Sequence, residues 1–212
     1  MRYFYSLLVL CLLLSIRSAQ SETPEEYQVI SPSEVVTLTE KRQEDVFFKK
    51  KPFLSTYWKS TPTLRICPDS GVSLARAQRA VSYWERLGYS IGPVIVDSGF
   101  DMTCFNGGRI GEITVMLVTS DINMENHLAI TRNHYYTDTK EILKAQIYIL
   151  ISAASKERVL EHEIGHALGW MHYNRMYHIM HALYKNSGHG SSGLGISEYR
   201  QQVEDIESSI AK

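Results

Sequence analysis

The chain has 212 residues, 44% of them hydrophobic and 21% charged, with 22 basic against 23 acidic side chains. That length suits one domain with an N-terminal appendage, and it can bury a core without metal staples. The near-balanced charge, with no basic stripe interleaved with aromatics, leaves no footing for a nucleic-acid partner.

Residues 1–21 read as a secretory signal. Arg2 is the basic start, Leu7 to Leu14 the apolar run, and Ala19-Gln20-Ser21 supplies small residues at the two positions a signal peptidase reads. Cleavage is expected before Glu22. The run is too short and too close to the start for a membrane anchor. Cys11 follows Leu10 rather than a small residue, which argues against a lipoprotein signal. Without Arg2 and Arg17 the count becomes 20 basic against 23 acidic, a net charge of −3. The expectation is a secreted protein with no stable membrane insertion once the signal is gone. Cys67 and Cys104 then remain. In an oxidising compartment they are expected to form one disulfide, with two separate buried thiols as the alternative.

Residues 22–58 are read as an N-terminal extension, either a plain tether or a pro-segment. The stretch is polar and charge-blocked, from Glu22-Thr23-Pro24-Glu25-Glu26 to Lys49-Lys50-Lys51, and shows no clean amphipathic period. The folded domain is expected over 59–212. Thr63 to Cys67 alternates and predicts a first strand, followed by turn chemistry in Pro68-Asp69-Ser70-Gly71. Leu74, Ala77, Val81, Trp84 and Leu87 recur at spacings of three and four, which predicts a helix over 72–87 stopped by Gly88. Short strands are predicted at 93–96 and 113–118, with a Gly- and Asn-rich loop over 97–111 between them. Residues 119–140 are polar, with Leu128-Ala129-Ile130 as a short edge strand. His127 and His134 in this stretch read as surface histidines. Residues 145–151 form the last strand. Ser155 is expected to cap the next helix, with Glu157 near its positive end. A loop over 189–195 leads to a closing helix from Ser197 to Ile210, capped by Ser197. The order of elements is that of an α+β fold.

The chemistry lies in residues 160–184. His162 and His166 are four apart, so on a helix both imidazoles leave one face and can reach one metal ion at about 2.0–2.1 Å each. Glu163 points about 100° around the helix and is better placed to hold a water than to ligate. Gly169 can adopt φ > 0 and end the helix, turning the chain so that His172 closes a three-His site. A fourth position left open to water suits a catalytic rather than a structural metal. A buried helix with incidental histidines is the alternative. Yet three His, one Glu and one Gly at fixed spacing arise by accident in well under roughly one chain in ten thousand. Zn²⁺ is the expected metal, although imidazole ligands suit several divalent ions.

These residues also resemble a family. His162 to His172, HEIGHALGWMH, matches the metzincin pattern HExxHxxGxxH, and Ile179-Met180-His181 is similar to the Met-turn of that clan. The Ala167-Leu168-Gly169 run and the spacing from Met180 to Tyr184 look most like matrixins. The resemblance spans roughly residues 60–210 but is specific only over 160–184. It implies a mixed twisted sheet packed on two helices, with a Met-turn and a C-terminal helix. It implies a monomeric zinc endopeptidase acting on protein or peptide substrates, in which Glu163 is the general base. An extended substrate would pair with the edge strand near Leu128-Ala129-Ile130. Met180 would pack beneath the three imidazoles, and His178 and His181 would be structural. Tyr184 would either assist the oxyanion or serve packing. Matrixins hold a second, structural zinc partly by histidines near this edge, but the His/Asp pattern around His127 and His134 is incomplete. The cysteine that blocks the metal in latent matrixins has no counterpart between Cys11 and Cys67, so Asp45 is the substitute candidate. The competing reading is a zinc-loaded binding or regulatory protein without turnover. Glu163 argues against it, because such a scaffold has no need of a base.

Overall fold

The computed structural model describes residues 27–29 and 51–211, apart from residues 101, 121 and 125. The expected signal segment, Asp45 and the Lys49–Lys50 part of the basic run lie outside the described residues. The fold is α+β, with one mixed six-stranded sheet in the order β1-β5-β6-β4-β2-β3. Its strands are β1 (Tyr27–Val29), β2 (Thr63–Ile66), β3 (Val94–Val96), β4 (Glu112–Leu117), β5 (Ala129–Tyr136) and β6 (Ile142–Ile149). β3, β2, β4 and β6 run parallel to one another, β5 pairs antiparallel with β6, and β1 pairs antiparallel with β5. Among the described residues three α-helices accompany the sheet: α1 (Leu74–Glu85), α2 (Val159–Ala167) and α3 (Ile196–Ile210). Among the described residues no helix is long and apolar enough to cross a membrane.

The two faces of the sheet differ in chemistry, as the period of two demands. Leu64, Ile66, Ile113, Val115, Ala145, Ile147 and Ile149 are buried in one core with Ala77, Val81 and Trp84 of α1 and Leu160 and Ile164 of α2. The opposite face carries polar side chains. Arg65 donates to both Glu112 oxygens at 2.8 Å and to Asp97 Oδ2 at 2.9 Å, all three residues being buried. The 97–111 loop covers this face. Gly107 O accepts from Gln146 Nε2 at 2.7 Å, and a disulfide joins Cys104 to Cys67 just after β2. The cysteines are thus paired rather than separate thiols.

α1 buries Ala77, Val81 and Trp84 as its spacing predicts but leaves Leu74 exposed at its first turn, and Ser73 Oγ accepts from Arg76 N at its start. The other two helix starts differ from expectation. α2 begins at Val159 and not beside Ser155, and it is entered through Arg158 at φ +69° with no side-chain cap. Contacts from distant residues explain this. Arg158 bonds to Ser187 O and stacks on the Tyr184 ring, while Arg76 Nη2 binds Lys156 O at 3.0 Å. α3 is entered through Gly195, and Ser197 Oγ donates to Glu198 Oε2 at 2.8 Å instead of capping.

Two further differences bear on the site. β5 is an eight-residue strand rather than a three-residue edge. Its Thr131, Arg132, Asn133 and His134 are polar on both faces, so apolar alternation does not betray it. The packed chain also starts earlier than residue 59. Leu54, Tyr57 and Trp58 are buried in the main core. Ser55 N donates to Gly169 O at 3.0 Å and Met171 N to Phe53 O at 3.1 Å, so this stretch runs beside the turn that follows α2.

Candidate metal centre

α2 divides cleanly by face. Val159, Leu160, Ile164 and Ala167 are buried, while His162 and His166 are half-buried on the other side. α1 holds the helix just before the first histidine. Arg76 Nη1 donates to Glu161 Oε1 at 2.9 Å and Trp84 Nε1 to Glu161 O at 2.9 Å.

The helix ends at the glycine. Gly169 has φ +99°, and its N–H donates to His166 O at 2.8 Å while Trp170 N–H reaches back to Gly165 O at 3.0 Å. That pair of bonds is a Schellman cap, which requires a left-handed residue at this position. A Cβ there would lie 1.8 Å from Thr56 O, so no other residue fits without moving the 52–58 stretch. The reversed chain carries His172 back. Tyr173 N then donates to Met180 O at 2.8 Å, which brings residues 179–180 under α2.

His162, His166 and His172 come together, each offering a ring nitrogen within 4.8 Å of the others. His162 Nδ1 stands 2.7 Å from Ile179 O, and His166 Nδ1 stands 2.7 Å from Trp170 O. A carbonyl only accepts, so both Nδ1 atoms carry the proton and both Nε2 atoms expose a lone pair. Those two Nε2 atoms are 3.0 Å apart. Two lone pairs facing each other with no proton between them repel, and a cation beside both relieves the repulsion. The donor set therefore fits a metal ion. Burial lowers the pKa of all three rings and neighbouring imidazoles add to it at His166 and His172, together bringing His166 to about 3. At neutral pH the trio is uncharged, the form that ligates.

Glu163 is buried and its carboxyl pKa is raised to about 7 by desolvation, against the lowering effect of the Thr131 hydroxyl. Thr131 Oγ1 donates to Glu163 Oε2 at 2.6 Å, and Asn133 Nδ2 donates to His166 O at 2.8 Å. Neither β5 residue was singled out by sequence patterning, although both lie in the strand row that faces α2.

Met180 is fully buried against α2. His178 and His181 serve the backbone: His178 Nδ1 accepts from Met180 N, His178 Nε2 meets Ser192 O, and His181 Nδ1 accepts from Leu183 N. Tyr184 is partly exposed, its hydroxyl donating to Glu157 O at 3.2 Å and its ring stacked on Arg158. His134 stands 2.9 Å from Gln146 Oε1, so its ring is engaged on the polar face of the sheet. No family model and no curated protein matches this chain.

Proposed function

We propose that the protein is a secreted, metzincin-like zinc endopeptidase in which His162, His166 and His172 hold the metal and Glu163 is the general base. The convergence of three neutral imidazoles beside a buried carboxylate carries this reading. Zn²⁺ held there supplies Lewis acidity toward a water and toward the scissile carbonyl. The chain's own residues do the rest. Nδ1–H bonds to Ile179 O and Trp170 O hold two rings in their ligating tautomer. Glu163 takes the proton from the attacking water on Oε1, the oxygen Thr131 does not bind, and returns it to the leaving amine. A carboxyl balanced near neutral pH by burial suits both transfers, and a neighbouring dication draws it toward the ionised form.

The sheet edge supports a peptide as substrate. Among the described residues β1 pairs with β5 at His134–Tyr136. Among the described residues no other strand covers the outer edge of β5, so Ala129–Asn133 can accept an extended peptide by strand addition beside Glu163.

The test is cleavage of casein by the purified protein, with its zinc content measured by mass spectrometry. Cleavage should stop on chelation, return with Zn²⁺, and be lost in Glu163→Ala while one zinc per chain remains. Zinc bound without any turnover would favour a metal-loaded binding protein instead.

A further inference from the structure

β5 presents Ala129, Thr131, Asn133 and Tyr135 on one side, since alternate residues of a strand share a face. Ala129 and Tyr135 join the main core. Thr131 and Asn133 sit between them in an otherwise apolar layer. A hydroxyl and an amide removed from water cost free energy unless hydrogen-bonded. The Thr131 hydroxyl and the Asn133 Nδ2 group find their partners in the candidate metal centre, Glu163 and the main chain of His166.

The two bonds differ in what they restrain. Asn133 holds a backbone carbonyl at the end of α2 and so places the helix. Thr131 holds a side chain. Its Oγ1 lies 2.6 Å from Glu163 Oε2 and 3.2 Å from Glu163 O. A hydroxyl has one proton to give, and the shorter contact is the stronger claimant. A glutamate carboxyl otherwise turns freely about its last torsion, which is broad and roughly two-fold. Fixing Oε2 removes that freedom.

We propose that Thr131 is a positioning residue for Glu163, its hydroxyl clamping Oε2 so that Oε1 alone faces the cleft. The catalytic consequence rests on the endopeptidase reading, but the clamp itself exists with or without turnover. The clamp accounts for threonine at a strand position where valine would fill the same volume and suit the core better.

Thr131→Val removes the donor and keeps the shape, while Thr131→Ser keeps the donor. On a peptide substrate, Thr131→Val should lower kcat about tenfold or more with KM and zinc content unchanged, the mark of an interaction felt in the transition state. Thr131→Ser should restore most of the rate, which a purely structural role would not require. The second arm needs no activity. In metal-free protein, Thr131→Val should lower the Tm by about 2–4 °C and should cost clearly less in a Glu163→Ala background. Coupling in a chain that never turns over supports the clamp and refutes the peptidase reading. Equal Tm losses in both backgrounds, or a Thr131→Val variant with unchanged kcat, overturn the proposal. So does a Thr131→Ser variant as slow as Thr131→Val.

Discussion

Gly165 and Met180 meet where a methyl group has no room. A Cβ on Gly165 would stand 2.4 Å from Met180 Sδ and 2.8 Å from Trp84 Cζ2. Both neighbours are fully buried, and the Trp84 indole is tied to Glu161 O. Alanine is the better helix former by about 1 kcal/mol, but overpacking a filled core costs about 1–3 kcal/mol. Gly165→Ala should therefore lower stability, by about 1 kcal/mol net after the helix gain is subtracted. Urea denaturation of the two proteins measures it, and a variant as stable as the parent would show that the Met180 side chain yields freely.

The buried Arg65 cluster makes stability depend on acid. The Arg65 guanidinium bonded to Glu112 holds that carboxyl below its ordinary value, and burial only partly opposes the shift. A carboxyl with a depressed folded pKa stabilises the fold above its unfolded pKa of about 4.3, and that contribution drains away as the pH falls below it. Glu112→Gln should be destabilised at pH 7. The gap between variant and parent should narrow steadily below about pH 4.3. Thermal melts across pH 3–7 follow it, and a gap independent of pH would contradict the assignment.

The disulfide closes a loop with a sequence separation of 37 residues. The chain-entropy account gives a crosslink of that span about 3–4 kcal/mol. Replacing Cys67 and Cys104 together by serine should lower the urea midpoint accordingly and loosen the 97–111 loop from the sheet. Thiol titration of the unfolded parent before reduction should find neither cysteine free.

Tyr184 is a test of the oxyanion idea raised by the family resemblance. Its hydroxyl is committed to Glu157 O and its ring to Arg158. Losing a true oxyanion donor costs about 10²–10³ in kcat. Tyr184→Phe is expected to fall far short of that in the casein assay, with its main effect on thermal stability. A loss on that scale would instead mean that the tyrosine swings into the cleft during turnover.

Local spacing carried the three-histidine cluster in the sequence. Residues four apart on a helix share a face whatever surrounds them, and a glycine can reverse the chain where other residues resist, so His162, His166, Gly169 and His172 were readable together. The core side of α1 was readable for the same reason, because Ala77, Val81 and Trp84 recur at the helical period. The disulfide was half arithmetic, two cysteines being left once the expected signal segment is set aside.

What stayed hidden depends on partners far along the chain. The extent of β5 comes from its backbone ladder with β6, which polar side chains do not advertise. Thr131 and Asn133 look like surface residues until α2 is laid across them. Residues 53–55 look like linker until they run beside the turn at Gly169–Met171, more than a hundred positions later. The start of α2 followed distant contacts, and α3 was entered through Gly195, with neither helix capped by its nearest serine. Periodicity reports which face of an element seeks cover. Only the assembled chain says which polar groups find partners there, because an unpaired buried donor costs more than any local propensity can return.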